Sequence, residues 1–154
     1  DNPDDAVILQ QYSTYLLANG RDKRGAELLE RLNKLAPDDV VVLNNLAWAY
    51  RQSNSGKALE LADKAVELAP DNMSVVDTRS VVLMEKGELE EALEANDTAL
   101  KLAPGFPQLL FHRGQILAEM GRNAEAINVL EKVSGVQFAE RAAAEKLLLE
   151  LRSR

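Results

Sequence analysis

The chain has 154 residues, 46% hydrophobic and 28% charged, a balance that fits one soluble globular domain and excludes a disordered polymer. A formal charge of -7, with a pI near 4.8, argues against the clustered Lys and Arg that a nucleic-acid partner requires, so none is expected. There is no cysteine, hence no disulfide, thiolate nucleophile or Cys-based metal site, and no run of about 18 apolar residues that would insert into a membrane.

Leu, Ala and Glu dominate and aromatics make up only 5%, the composition of helices packed through small side chains. Taken in chain order, the periodicity predicts helices at 6–19, 22–36, 40–52, 56–69, 73–86, 88–103, 107–120 and 123–133. The first two are parted by Gly20. In the third, Leu43, Leu46, Ala47 and Tyr50 fall at i, i+3, i+4 and i+7, one helical face. Asn54 and Ser55 break the chain, and the fourth helix carries Ala58, Leu59, Ala62, Ala65, Val66 and Leu68 as its apolar stripe before Pro70 stops it. Gly87 turns the fifth helix into the sixth, with Glu88, Glu90 and Glu91 at the positive start of the latter, and Gly121 occupies the same place between the seventh and eighth.

These helices repeat as pairs. Pro3, Pro37, Pro70 and Pro104 fall 34, 33 and 34 residues apart, three of them inside nearly one phrase, KLAPDD, ELAPDN and KLAPGF. A period in this range means stacked units, each unable to bury its apolar face alone. Ser13, Ala47, Ser80 and Gly114 align in the first helix of each unit, and Gly25, Ala58, Ala92 and Ala126 in the second. Large side chains there would force the pair apart, at about 1–3 kcal/mol for overpacking. A large apolar residue (Leu9, Leu43, Val76, Leu110) precedes the small one, and another (Leu16, Tyr50, Leu83, Leu117) follows it. Across essentially the whole chain these residues resemble the tetratricopeptide repeat (TPR) pattern. The resemblance implies an all-α fold, a right-handed superhelical α-solenoid of four helix-turn-helix repeats (about 6–39, 40–72, 73–106 and 107–137) with a C-terminal capping helix. Departures are Leu32 and Val133 where Ala65 and Ala99 supply a small residue, Arg79 and Arg113 in a place usually given to leucine, and a turn one residue short in the second unit. An arginine stem can lie along apolar surface with its head in water.

The fourth unit ends in Val133-Ser134-Gly135, and a last helix is expected at 138–152, with Ala144, Leu147, Leu148 and Leu151 on one side and charged residues elsewhere. That polar outer face suits the end of a solenoid. At the other end Asn2-Pro3-Asp4-Asp5 matches Ala36-Pro37-Asp38-Asp39, so the chain reads as a segment of a longer array, and the open face of its first helix is expected to self-associate.

Reactive chemistry is sparse. His112 is the sole histidine, with no second imidazole or thiol to complete a transition-metal site, so no metal site is expected. Paired carboxylates such as Asp38 and Asp39, or Glu90 and Glu91, sit at helix starts, where they cap and complement the dipole. No phosphate-cradling glycine loop, Ser/His/Asp arrangement or dinucleotide fingerprint occurs; neither catalysis nor a cofactor is expected.

A binding surface remains. In the family's arrangement the first helices line a concave side, and the positions next to the core stripe are Gln10, Asn44, Asp77 and Phe111; Gln11, Asn45, Thr78 and His112; Thr14, Trp48, Val81 and Gln115; with Arg51 beyond them. Trp48 stands one residue past the core Ala47, about 100 degrees round the helix. Two readings of it stay open, as for Phe111: an anchor for a partner, or packing against a neighbouring first helix. Chaperone-tail binding by a basic clamp, known in this family, finds only Asn45 here; Gln10, Ser74 and Thr78 stand where basic residues are needed. The groove's amides, hydroxyls and few apolar groups suit a neutral peptide of a protein partner, a helix or a polysaccharide. Leu43-Asn44-Asn45-Leu46-Ala47-Trp48, Ala58-Leu59-Glu60-Leu61-Ala62 and Phe138-Ala139-Glu140-Arg141 also resemble C-terminal repeats of bacterial envelope TPR proteins of PEP-CTERM/exosortase exopolysaccharide systems. That likeness implies a periplasmic scaffold in export; a cytoplasmic adaptor and an accessory array of an enzyme such as a glycosyltransferase are the competing readings.

Overall fold

The computed structural model describes residues 5–153 and is helical throughout, with nine helices and no strand among those residues. They are α1 (Ala6–Ala18), α2 (Asp22–Leu35), α3 (Val40–Tyr50), α4 (Ser55–Leu68), α5 (Met73–Lys86), α6 (Leu89–Leu102), α7 (Pro107–Glu119), α8 (Asn123–Glu131) and α9 (Arg141–Arg152). Pro3 lies outside the described residues.

The recurring Ala-Pro phrase works as a stop followed by a start. Ala36, Ala69 and Ala103 each leave the helical region (φ -139, -144 and -137, with ψ 80, 68 and 78) ahead of their proline, which disfavours the α region for the residue before it. Two residues after that proline comes the next N-cap. Asp39 Oδ1 accepts from the amides of Val41 and Val42 at 2.9 and 3.0 Å, Asn72 Oδ1 from Ser74 at 3.0 Å, and Asp5 caps α1 in the same way. The fourth unit has Phe106 at this point and substitutes Pro107 at the first helical position, where a missing N–H costs nothing. At the turn between α5 and α6, Gly87 holds φ +85, the left-handed cap that favours glycine.

Paired helices meet at the aligned small residues. Ser13, Ala47 and Ser80 are fully buried, as are Ala58, Ala92 and Ala126, and Ser80 Oγ donates to the Ala92 carbonyl at 3.0 Å, one first helix bonded directly to the backbone of its second. A Cβ at Gly114 would stand 2.6 Å from Leu130 Cδ2 and 2.7 Å from its Cγ. Every packed pair of helices is one or two places apart in chain order. The first helices touch one another in succession (α1 with α3, α3 with α5, α5 with α7, α7 with α9), whereas α2, α4, α6 and α8 touch no other second helix. The stack therefore curves, with the first helices inside: a helical solenoid with nearest-neighbour packing.

The departures in the sequence have structural answers. Arg79 Nε donates to Asp63 Oδ1 at 2.6 Å and Arg113 pairs with Asp97, the same bond from α5 to α4 and from α7 to α6, with partners 34 residues apart in both members. Asn96, fully buried beside the second pair, donates from Nδ2 to the Leu109 carbonyl at 3.0 Å. Leu32 and Val133 are core residues. Two expectations are corrected: Leu68, with its equivalents Leu35 and Leu102, is exposed, and the last helix begins at Arg141 instead of 138, because Phe138 is used as a plug against the core of α7, α8 and α9.

Gly114→Leu is expected to lower unfolding free energy by about 1–3 kcal/mol, since Leu130 has no room to retreat. Gly56→Ala, whose Cβ would meet only Asn54 Oδ1 at 3.9 Å, should be neutral or slightly stabilising. Urea titration followed by circular dichroism compares the two.

Candidate functional site

Curvature leaves a groove of about 570 Å³ on the inner side. Thr14, Leu17 and Ala18 of α1, Asn44, Asn45 and Trp48 of α3, and Met73, Ser74, Asp77 and Thr78 of α5 line it. Phe106 and Gln108 at the start of α7, and Ala139 and Glu140 before α9, close the far side. Six of the residues assigned to the concave side from sequence are thus together: Thr14, Asn44, Asn45, Trp48, Asp77 and Thr78.

The others are elsewhere. Phe111 is corrected from groove to core: it is 5% exposed and packs with Leu117, Leu130, Leu148 and, ring to ring at 6.3 Å, Phe138. Val81 is likewise buried, against Ile116, Leu83 and Met84. Gln115 borders a separate shallow cleft with Glu119, Leu147 and Leu151. Gln10 is half-buried, its carbonyl accepting from Ser13 and Thr14, and Gln11 is exposed; neither lines the groove. For Phe111 and Gln115 the shift has a simple cause. Capping by α9 adds a layer outside α7, so positions that face the hollow on α3 face helix on α7.

Behind the groove wall lies a connected polar-aromatic assembly from three first helices, in which His112, expected to line the hollow, is buried instead. His112, 3% exposed, donates from Nδ1 to Asp77 Oδ1 at 2.8 Å, joining α7 to α5. Its ring lies 6.5 Å from that of Trp48. On Trp48 sits the guanidinium of Arg51, 4.3 Å from the ring centroid, held by Asp22 at 2.9 Å and by the Trp48 carbonyl at 2.7 Å. Trp48 therefore packs across to its neighbours, touching the Val81 and Ile116 cluster, while part of it still borders the groove. Its packing against neighbouring first helices is thus observed, and its remaining open surface lies at the groove. Arg51 is a support for Trp48, not a lining residue.

Two acceptors in the groove wall have no hydrogen-bond partner among the described residues: Asn44 Oδ1 and Glu140 Oε2, both buried. The other oxygen of Glu140 accepts from Gln108 Nε2 at 3.4 Å. Sequence reasoning missed Leu17, Ala18, Met73, Phe106, Gln108, Ala139 and Glu140: Phe106, Ala139 and Glu140 come from the connections, and the others from the ends of α1, α5 and α7, away from the positions next to the core stripe.

A second cleft of about 690 Å³ opens between α2 and the end of α3 at the shortened turn, lined by Asp22, Lys23, Glu27, Glu30, Arg31, Lys34, Tyr50, Gln52 and others. Glu30 accepts from Lys57 at 2.5 Å and from Tyr50 Oη at 2.9 Å. The bond to Lys57 holds the Glu30 carboxyl below its ordinary range, and burial pushes the Tyr50 hydroxyl up. The cleft's mixture of both charge signs leaves no one chemistry favoured there. Among the described residues no group of three or more His, Cys, Asp or Glu side chains could hold a metal ion, and no helix is long and apolar enough to cross a membrane.

Two family models, each of the tetratricopeptide repeat, match residues 13–72 and 83–151. Among solved structures the chain is similar to TTC0263, a thermophilic TPR protein of Thermus thermophilus, at TM-score 0.84 and 23% identity, over 95% of this chain and 80% of that one. It is similar to MamA of AMB-1 at TM-score 0.67 and 28% identity, over 95% and 80%. YrrB, described as a TPR protein with an unusual peptide-binding site, aligns at TM-score 0.63 and 18% identity, over 99% and 78%. No protein with a curated description matches the chain in sequence.

Phe111→Ala is expected to cost about 3–5 kcal/mol of stability, as for truncation of a buried aromatic ring. A thermal melt indistinguishable from that of the wild type would contradict its placement in the core.

Proposed function

The chain is a tetratricopeptide repeat protein, and from that premise we propose that it is a non-catalytic scaffold which holds a segment of a partner protein in its inner groove. One observation carries this reading. Side chains from α1, α3, α5, α7 and the approach to α9 converge on one open hollow that mixes apolar surface (Trp48, Met73, Phe106, Leu17) with amide and hydroxyl groups, the composition of a peptide-binding cleft. Trp48 supplies a rigid, partly exposed ring braced by Arg51 and His112, so little conformational freedom is lost when a partner covers it. YrrB, similar in fold, is described as having a peptide-binding site, which supports the class of ligand. The envelope exopolysaccharide process implied by the narrower resemblance gains no support from the comparisons, so the proposed role stops at the scaffold.

Thr14 is exposed and Ser74 lies at the start of α5, and both line the groove, so arginine at either place fills the hollow without disturbing the core. Thr14→Arg and Ser74→Arg are each expected to reduce retention of partner proteins from lysate roughly tenfold, about 1.4 kcal/mol, with unchanged circular dichroism. Glu67→Arg on the exposed side of α4 should retain them as the wild type does. Equal retention by all four proteins would overturn the groove reading.

Self-association through α1 is proposed on a separate observation: Val7, Ile8, Tyr12 and Tyr15 are exposed on one helix, and the two tyrosine rings stack at 6.4 Å. Large apolar side chains clustered in this way mark a contact surface. Sedimentation velocity over rising concentration should show the mean coefficient climbing for the wild type and flat for Ile8→Lys with Tyr15→Lys; a wild type that stays monomeric removes the idea.

A further inference from the structure

The charges of the groove define its occupant more narrowly. Its ionisable lining groups are Asp77 and Glu140, and no lysine or arginine is among the described residues that line it. Arginines on or at the ends of the groove's own helices are paired elsewhere: Arg51 with Asp22 and on the Trp48 ring, Arg79 with Asp63, Arg113 with Asp97, Arg141 with Glu145. Asp77, 6% exposed, borders the groove and accepts one hydrogen bond from His112, which leaves its carboxylate further acceptor capacity, and no described residue donates to Glu140 Oε2 or to Asn44 Oδ1. Buried acceptors without donors are costly, and a bound donor relieves that cost. A carboxylate accepting from a cationic donor makes the stronger, charge-assisted form of the bond.

Resting on the groove reading above, we propose that the occupant is a protein segment presenting a lysine or arginine side chain, its aliphatic stem against Trp48, Met73 and Phe106 and its charged head directed to Glu140 and Asp77. The polarity is the reverse of a basic clamp that grips a terminal carboxylate. It also differs from the neutral ligand that the first helices alone imply, since Glu140 enters the groove from the connection before α9. The net charge of -7 works in the same direction, drawing a basic segment toward the protein and repelling an acidic one.

The test uses octapeptide mixtures, acetylated and amidated so that no terminal charge intervenes, with flanking positions drawn from Ala, Ser, Leu and Gln and a central Lys, Arg, Gln or Glu. Binding to the immobilised full chain should rank Lys and Arg about tenfold above Gln, with Glu weakest, and the gap should shrink in high salt as the charges are screened. Glu140→Gln should narrow the Lys-to-Gln ratio, and Asp77→Asn, checked for folding by circular dichroism, should narrow it too. Equal binding of the Lys and Gln mixtures, preference for Glu, an unchanged ratio in Glu140→Gln, or no retention of any mixture would each overturn the proposal. If peptides bind without charge preference but Ser74→Arg abolishes binding, the cation is refuted and the groove stands. Binding that ignores Ser74→Arg refutes both.

Discussion

Close approach of two helices at a point where neither has room for more than a methyl or hydroxymethyl group is the constraint on which this protein rests. At Ala47 and Ala58, at Ser80 and Ala92, at Gly114 and Ala126, the side chains are small because the helix backbones are near, and all are shut off from water. Each pair so formed exposes an apolar flank that only the next pair can cover. Helix packing confined to near neighbours is the result, and with it a stack that has an inside and an outside.

Polar bonds between units are too exposed to hold the stack by themselves. Pairs such as Arg79 with Asp63 are partly open to water, where a salt bridge contributes roughly 0–1 kcal/mol. Their recurrence 34 residues later in Arg113 and Asp97 points to register: each fixes how far one unit slides along the next, while the apolar contact supplies the energy. Buried polar groups act differently. His112 with Asp77, and Asn96 with the Leu109 carbonyl, are enclosed, and losing one partner would strand the other, so they specify which face of α7 meets α5 and α6.

The inner groove, the proposed binding surface, follows from this geometry. Its walls come from helices whose order was already set by packing, and they are stiffened from behind by the line running from Arg51 through Trp48 and His112 to Asp77. A hollow lined this way needs little rearrangement to receive a segment of chain, which keeps the entropic cost of binding low.

Period, helix pairing, caps and the small-residue contacts were legible in the chain because they depend on residues near in sequence: an Asp or Asn two places after a proline caps the helix that begins there, and a glycine or alanine at fixed spacing marks a near approach. Thr14, Asn44, Asn45, Trp48, Asp77 and Thr78 were legible as groove residues for the same reason, their place on the first helices being a matter of rotation about one axis. Phe111, Val81 and Gln115 have equivalent positions yet do not line the hollow, and Glu140, Gln108 and Phe106 line it without any periodic signal. Phe111 and Gln115 were placed by where α9 caps the stack, Val81 by its packing against Ile116 of α7, and Glu140 by its position in the connection before α9. Sequence by itself determined a repeating helical array; tertiary structure alone decided which side chains face the hollow and with what charge, because that depends on contacts between residues about a whole repeat apart, as between Gln108 and Glu140, whose side chains no local rule brings together.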